Sequence, residues 1–329
     1  MKILIVNKSE IKKSITMHDC IRIMKNLFIE LENGVVNNPL RKAMLLPKEF
    51  GGLLSMMPGY NLKENIMGIK TVSVYPENSK IGLDSHQGMV TLFDLNNGAP
   101  LAIMDASQIT AIRTAAVSAV ATKALANSNS TTLAIIGSGV QADSHIEAMD
   151  AILDLKEIRV WSRNENSVRK FINIQKKKYS TSFIHSESIA KALENADIVC
   201  TTTSAINPII LSNYLKKGMH INAVGSSVEN SRELDGEAVK LSKLYVDKIE
   251  STINESGDFL IAKKEGLIDN NHIIGSIGGV LTNKVNGRKS KDDITLFKSL
   301  GLSVEDIATA FFIYEEYKNN NKGHWVEFC

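Results

Sequence analysis

Thr132-Leu133-Ala134-Ile135-Ile136-Gly137-Ser138-Gly139-Val140-Gln141-Ala142 reads as an apolar strand running into a glycine turn that opens a helix. Glycine lets the backbone approach a pyrophosphate closely, and a helix N-terminus supplies free N–H groups and the positive end of its dipole. The third position of this fingerprint is Ala142 rather than glycine, the relaxed form. A glycine turn alone says little. This one sits inside a β-α-β unit, the context that gives it meaning. Downstream, helices expected over 141–155, 168–178 and 189–194 alternate with strands expected over 157–161, 182–185, 198–202, 220–224 and 244–247. That alternation predicts an α/β fold with a doubly wound, Rossmann-type parallel sheet.

The first hundred residues read differently. Residues 15–31 have helical spacing, with Ile21, Met24, Leu27, Phe28 and Leu31 able to share one face. Strand-like pieces at 52–57, 67–75 and 88–95 follow, then the turn Asn96-Asn97-Gly98 and a returning strand over 99–104. A largely antiparallel sheet with flanking helices is expected. Residues 105–126 are an Ala-rich helix with Asp105 or Ser107 as N-cap, and 303–317 is an amphipathic helix free to pack on the first segment.

A length of 329 residues is about two ordinary domains. The 38 basic and 36 acidic side chains leave a net charge of +2, without the basic stripe of a nucleic-acid protein. Cys20, Cys200 and Cys329 are odd in number and far apart. They suit neither a disulfide framework nor a metal site, so a cytoplasmic protein without bound metal is expected, and Cys329 is a thiol of no assigned role. The apolar run Ile3 to Val6 is too short for a signal-peptide core, and nothing approaches the roughly 18 apolar residues of a membrane span.

The end of the second strand of the parallel set bears on the cofactor. An NAD site places Asp or Glu there for the ribose hydroxyls. Here the residues are Ser162, Arg163 and Asn164. A guanidinium fork and a hydroxyl suit a phosphate, which favours NADP(H) with NAD(H) as the alternative. The competing reading is a solvated Arg163 with Glu165 turned inward. Arg113 is the second signal: on its helix it falls inside the face made by Ile109, Ile112, Ala116 and Val120. A buried guanidinium must meet an anion, either a structural carboxylate or a substrate carboxylate.

Gln108-Ile109-Thr110-Ala111-Ile112-Arg113-Thr114-Ala115-Ala116, the Gly-Ser-Gly-Val-Gln-Ala loop and His220-Ile221-Asn222-Ala223-Val224-Gly225 together resemble the ornithine cyclodeaminase/mu-crystallin family. Ser85-His86-Gln87, Arg232-Glu233-Leu234-Asp235 and Thr295-Leu296-Phe297-Lys298-Ser299-Leu300-Gly301 are further matches, in order along nearly the whole chain and closer to the mu-crystallin branch. The resemblance implies a homodimer. It also implies a substrate-binding and dimerisation domain over 1–115 plus 303–329, and an NAD(P)-binding domain over 116–302. It implies an oxidoreductase acting on a small α-imino or α-amino acid, with the carboxylate held by Arg41, Lys70 and Arg113 and with His86 either lining the site or serving structure. Gly137, Ser138, Gly139, Val140, Gln141, Ser162, Arg163, Asn164, Thr202, Thr203, Val224, Gly225 and Lys298 are the implied cofactor set.

The departure lies two residues beyond Gly225. Cyclodeaminases of this family look to need an aspartate there, and this chain has Ser227. A serine hydroxyl is a poor general base near neutral pH. Hydride addition to a protonated C=N bond needs none, and Ser227 either hydrogen-bonds at the nitrogen or simply closes the turn. The expected activity is an NAD(P)H-dependent reductase of cyclic ketimines or α-imino acids, with Lys70, Arg113 and Ser227 at the reacting centre. A cyclodeaminase or deaminating dehydrogenase and a non-catalytic nucleotide-binding protein are the alternatives.

Overall fold

The computed structural model describes residues 1–328 apart from Lys48, and the backbone alone of Ser79 and Lys80, so Cys329 lies outside the described residues. The chain divides into two compact units, one of residues 1–113 with 302–329 and one of residues 114–301.

The first unit is built on a mixed sheet of eight strands. Three long strands, Leu53–Asn61, Ile66–Val74 and His86–Asp94, pair antiparallel and continue to Pro100–Asp105. Burial alternates along Ile66–Val74, as a sheet with one covered face requires. The turn at Asn96-Asn97-Gly98 closes a hairpin in which Gly98 takes φ +77°. Four strands escape the sequence reading, Val36–Asn37 and Lys42–Leu45 among them; of the other two, Lys2–Val6 runs parallel to Pro100–Asp105 and antiparallel to His324–Glu327. The strand expected at 52–57 instead continues through Pro58 and Gly59 to Asn61. Its outer neighbours are two short strands, one pairing 53–56 and the other 60–61. Pro58 falls in the gap between them, where a missing N–H costs no ladder bond.

The covered face of this sheet receives the helices Met17–Glu32 and Ser303–Asn319. Thr16 caps the first through Asp19 N, and Cys20, Ile21, Met24, Leu27 and Phe28 form its buried stripe. The second begins at Leu302 without a side-chain cap of its own, and Asn38 Oδ1 accepts from Val304 N instead. Gly59 and Gly68 are register partners beneath this helix. A Cβ on Gly59 would lie 2.6 Å from Val304 Cγ1, and one on Gly68 3.0 Å from Ile307 Cγ1. The paired glycines therefore let the helix settle close to the strands.

The second unit is an eight-stranded sheet whose adjacent pairs are all parallel. Across it the strands run Ser182–His185, Glu157–Trp161, Thr132–Ile136, Ile198–Thr201, His220–Ala223, Thr295–Lys298, Lys243–Val246 and Ile273–Ser276. The order reverses between Thr132–Ile136 and Ile198–Thr201, the switch point at which doubly wound sheets bind ligands. Thr295–Lys298 enters between two strands that precede it in sequence, a placement the local pattern did not reveal. The helix Ala106–Leu125 starts on Asp105, whose Oδ1 accepts from Gln108 N at 2.9 Å, so Asp105 rather than Ser107 is its cap.

Candidate active site

Lys70 belongs to the buried face of strand Ile66–Val74, with 5% of its surface exposed. Its Nζ donates to Thr110 Oγ1 at 2.6 Å and to Asp306 Oδ1 at 3.1 Å. Arg113 donates from Nε to the same Asp306 oxygen at 3.0 Å and from Nη1 to Glu305 Oε2 at 2.5 Å. The two expected cations are thus brought together by two consecutive carboxylates in the first turn of Ser303–Asn319. Arg113 does meet structural anions. Among the described residues, its Nη2 and the third Lys70 proton have no such partner. Burial pulls the Lys70 pKa down to about 8 despite the Asp306 carboxylate. Burial also opposes the Arg113 charge, but Asp306 and Glu305 outweigh it and raise its pKa.

The register around Lys70 places the other candidates. Met57 is its cross-strand partner on one side and Val90 on the other, and both are buried. Lys42 pairs with Met56, so Arg41 stands one residue beyond that pair, beside Met57. His86 opens the next strand, with its Nδ1 3.0 Å from Ser85 Oγ. Desolvation of its ring, then the Lys70 ammonium, lowers its pKa.

In the second unit the glycine turn has the form its sequence requires. Gly137 takes φ +129°, and a Cβ there would lie 2.6 Å from Thr202 Oγ1. Gly139 is the N-cap of Val140–Asp150 and offers no side-chain cap, while a Cβ on it would meet nothing within 4 Å. An eleven-residue helix therefore presents uncapped first-turn N–H groups at the switch point, which fits a pyrophosphate. Beyond strand Glu157–Trp161, Ser162 is half-buried and Arg163 exposed, and Asn164 caps the next helix through Ser167 N. Glu165 does not turn inward: its carboxylate holds Arg169 at 2.5 Å.

Two buried acids missed from the sequence organise the neighbouring loops. Glu233 Oε1 accepts from Thr203 N and Oγ1, at 2.9 and 2.7 Å. Its Oε2 accepts from Thr201 Oγ1 and Gly225 N, at 2.6 and 2.7 Å. Asp258 Oδ1 accepts from the Glu233 and Leu234 amides, and its Oδ2 lies 2.8 Å from Lys298 Nζ. Lys298, expected to meet the cofactor, is instead buried on Asp258 and the Ser226 carbonyl, where it fixes the loop before Ser227. Ser227 itself is half-buried, as are Thr202, Thr203 and Val224.

Among the described residues no helix is long and apolar enough to cross a membrane, and no cluster of His, Cys, Asp or Glu is arranged to hold a metal ion.

The switch-point glycine turn of one unit marks a dinucleotide-dependent oxidoreductase, and the other unit carries a buried cluster of cations on carboxylates. More narrowly, the chain belongs to the ornithine cyclodeaminase/mu-crystallin family, whose profile matches residues 1–321. It is 36% identical over 327 residues to a Δ1-pyrroline-2-carboxylate reductase of Bacillus cereus, covering 99% of this chain and 100% of that one. It is 38% identical over 287 residues to the ketimine reductase mu-crystallin of Mus musculus, covering 87% of each. The solved structure of Thermococcus litoralis Δ1-pyrroline-2-carboxylate reductase in complex with NADH and L-proline superposes with a TM-score of 0.95. That protein is 38% identical, and the match covers 98% of this chain and 99% of the other.

Proposed function

We infer that the chain is a nicotinamide-dependent reductase of small cyclic ketimines with a carboxylate on the C=N carbon, such as pyrroline-2-carboxylate or piperideine-2-carboxylate. The cluster of Lys70 and Arg113 on Asp306, with donors still open, is the observation that carries this reading in a chain of that family. Lys70 and Arg113 hold the substrate carboxylate, and Arg41, beside Met57, adds a third cation. Met57 offers an apolar wall next to Lys70 and no carboxylate for a second ammonium, which suits a ring of methylenes better than a diamino acid.

The reduced nicotinamide supplies the hydride when bound at the glycine turn. What the chain must do is fix the imine so that its carbon lies at near-attack distance, and keep the nitrogen protonated. The carboxylate clamp fixes one end. Ser227 hydrogen-bonds at the nitrogen, and because hydride addition needs no general base there, a hydroxyl suffices. His86 lines the substrate side.

NADP(H) is the preferred cofactor in this reading, with NAD(H) as the alternative. Glu165 is engaged by Arg169 rather than turned toward a ribose, and the exposed Arg163 and the Ser162 hydroxyl suit a 2′-phosphate. The protein is taken as a cytoplasmic homodimer. Cys20 and Cys200 are free thiols, in keeping with a reducing compartment, and the exposed strand Lys42–Leu45 carries Met44 and Leu45, which a second copy would cover. Oxidation of NADPH and NADH with each imine, read side by side, tests the function. Turnover with NADPH preferred is expected, and absence of turnover with both imines and both cofactors would overturn it.

A further inference from the structure

Within the reductase reading, on which this rests, we propose that Asp306 is the positioning residue of the carboxylate clamp: through one oxygen it orients Arg113 and keeps Lys70 charged for the substrate. Asp306 is fully buried in the first turn of Ser303–Asn319. All of its donors converge on Oδ1: Lys70 Nζ at 3.1 Å, Arg113 Nε at 3.0 Å and Thr110 Oγ1 at 3.2 Å. Its Oδ2 is buried and accepts none among the described residues. Glu305, the neighbouring residue, bonds Arg113 Nη1. Two carboxylates therefore balance two cations, and among the described residues Asp306 is the carboxylate that bonds both Lys70 and Arg113.

The charged groups that act on Lys70 are Asp306 and Glu305 from Ser303–Asn319 and Arg113 from Ala106–Leu125, with His86 on the adjoining strand. Burial and Arg113 drive Lys70 toward its neutral form, and Asp306 is the largest influence against them. Without that charge, Lys70 loses its proton at lower pH and the clamp loses one of its two cations. The geometry supplies a clean probe. Because only Oδ1 accepts, an asparagine can keep its oxygen there and place its amide nitrogen where Oδ2 now stands, so Asp306→Asn removes charge while preserving shape.

L-Proline binding to the full-length protein with oxidised cofactor, by calorimetry from pH 6 to 9.5, reads the clamp directly, since the proline carboxylate stays ionised throughout. Wild type should lose affinity as pH rises through about 8, the value for Lys70. Asp306→Asn should lose it at least one unit lower, so that it binds about twofold more weakly at pH 7 and about tenfold more weakly by pH 9, where a unit of pKa is a factor of ten in the charged fraction. Asp306→Glu keeps the charge and should restore the wild-type pH midpoint. Cofactor affinity should stay within about twofold in all three, as expected for residues with no shared partners. Wild-type proline affinity flat to pH 9.5, or an Asp306→Asn midpoint equal to wild type, would overturn the proposal. A wild type that binds proline with the expected pH dependence but reduces no imine would leave Asp306 its role and overturn the reductase reading instead.

Discussion

Gly225 N donates to Glu233 Oε2 at 2.7 Å, and a Cβ on Gly225 would lie 2.5 Å from Glu233 Oε1. The glycine and the acid are matched parts. The carboxylate can reach the backbone only where no side chain intervenes, and it ties the ends of Ile198–Thr201 and His220–Ala223 together beneath the cofactor candidates Thr203 and Gly225.

Each Glu233 oxygen accepts one backbone N–H, from Thr203 or from Gly225. In Glu233→Gln, either orientation of the amide sets an NH2 group against a backbone donor that cannot turn away. A loss of roughly 1–3 kcal/mol in stability is expected, the cost of a buried unsatisfied group. Thermal unfolding measures that loss. The Kd for reduced cofactor should rise about tenfold while proline affinity changes little. Unchanged cofactor affinity would show that the loops do not depend on Glu233.

Gly59→Ala tests how the clamp is delivered. Its Cβ would press on Val304 Cγ1 at 2.6 Å, one residue before Glu305 and two before Asp306. Overpacking of this kind costs roughly 1–3 kcal/mol. Displacement of the helix should raise KM for the imine several-fold and leave KM for the cofactor alone. Steady-state kinetics at saturating levels of each partner separates the two.

Arg163→Ala tests the phosphate role. Loss of a charge-assisted hydrogen bond is worth about 1.5–3 kcal/mol, so KM for NADPH should rise roughly tenfold or more. KM for NADH should not move. Equal changes for both cofactors would return Arg163 to the role of a solvated loop residue.

Much of this was legible in the sequence where the determining contacts are local. The Gly137 turn and its alternating elements give the parallel sheet, because each β-α-β step carries its own period and its own turn. Thr295–Lys298 was not legible as a central strand, since its place between two earlier strands is set by pairing across a long intervening segment. The pairing of Lys2–Val6 with His324–Glu327 is non-local for the same reason. Arg113 announced a buried charge by its place on an apolar helical face. Its counterions were equally readable: Asp306, Ala310 and Ile313 follow helical spacing, so Asp306 also lies on a buried face. The two anomalies answer each other. Glu233 gave no such sign, because its four donors come from loops and strand ends.

Deuterium transfer tests the central claim most directly. Reduction of pyrroline-2-carboxylate with cofactor carrying deuterium at C4 of the dihydronicotinamide, with the product examined by mass spectrometry and NMR, reports where the hydride goes. One deuterium at Cα of proline, and none elsewhere, is the predicted result. Proline formed without deuterium at Cα from either C4 face, or cofactor oxidised with no proline formed, would contradict hydride addition to the C=N bond.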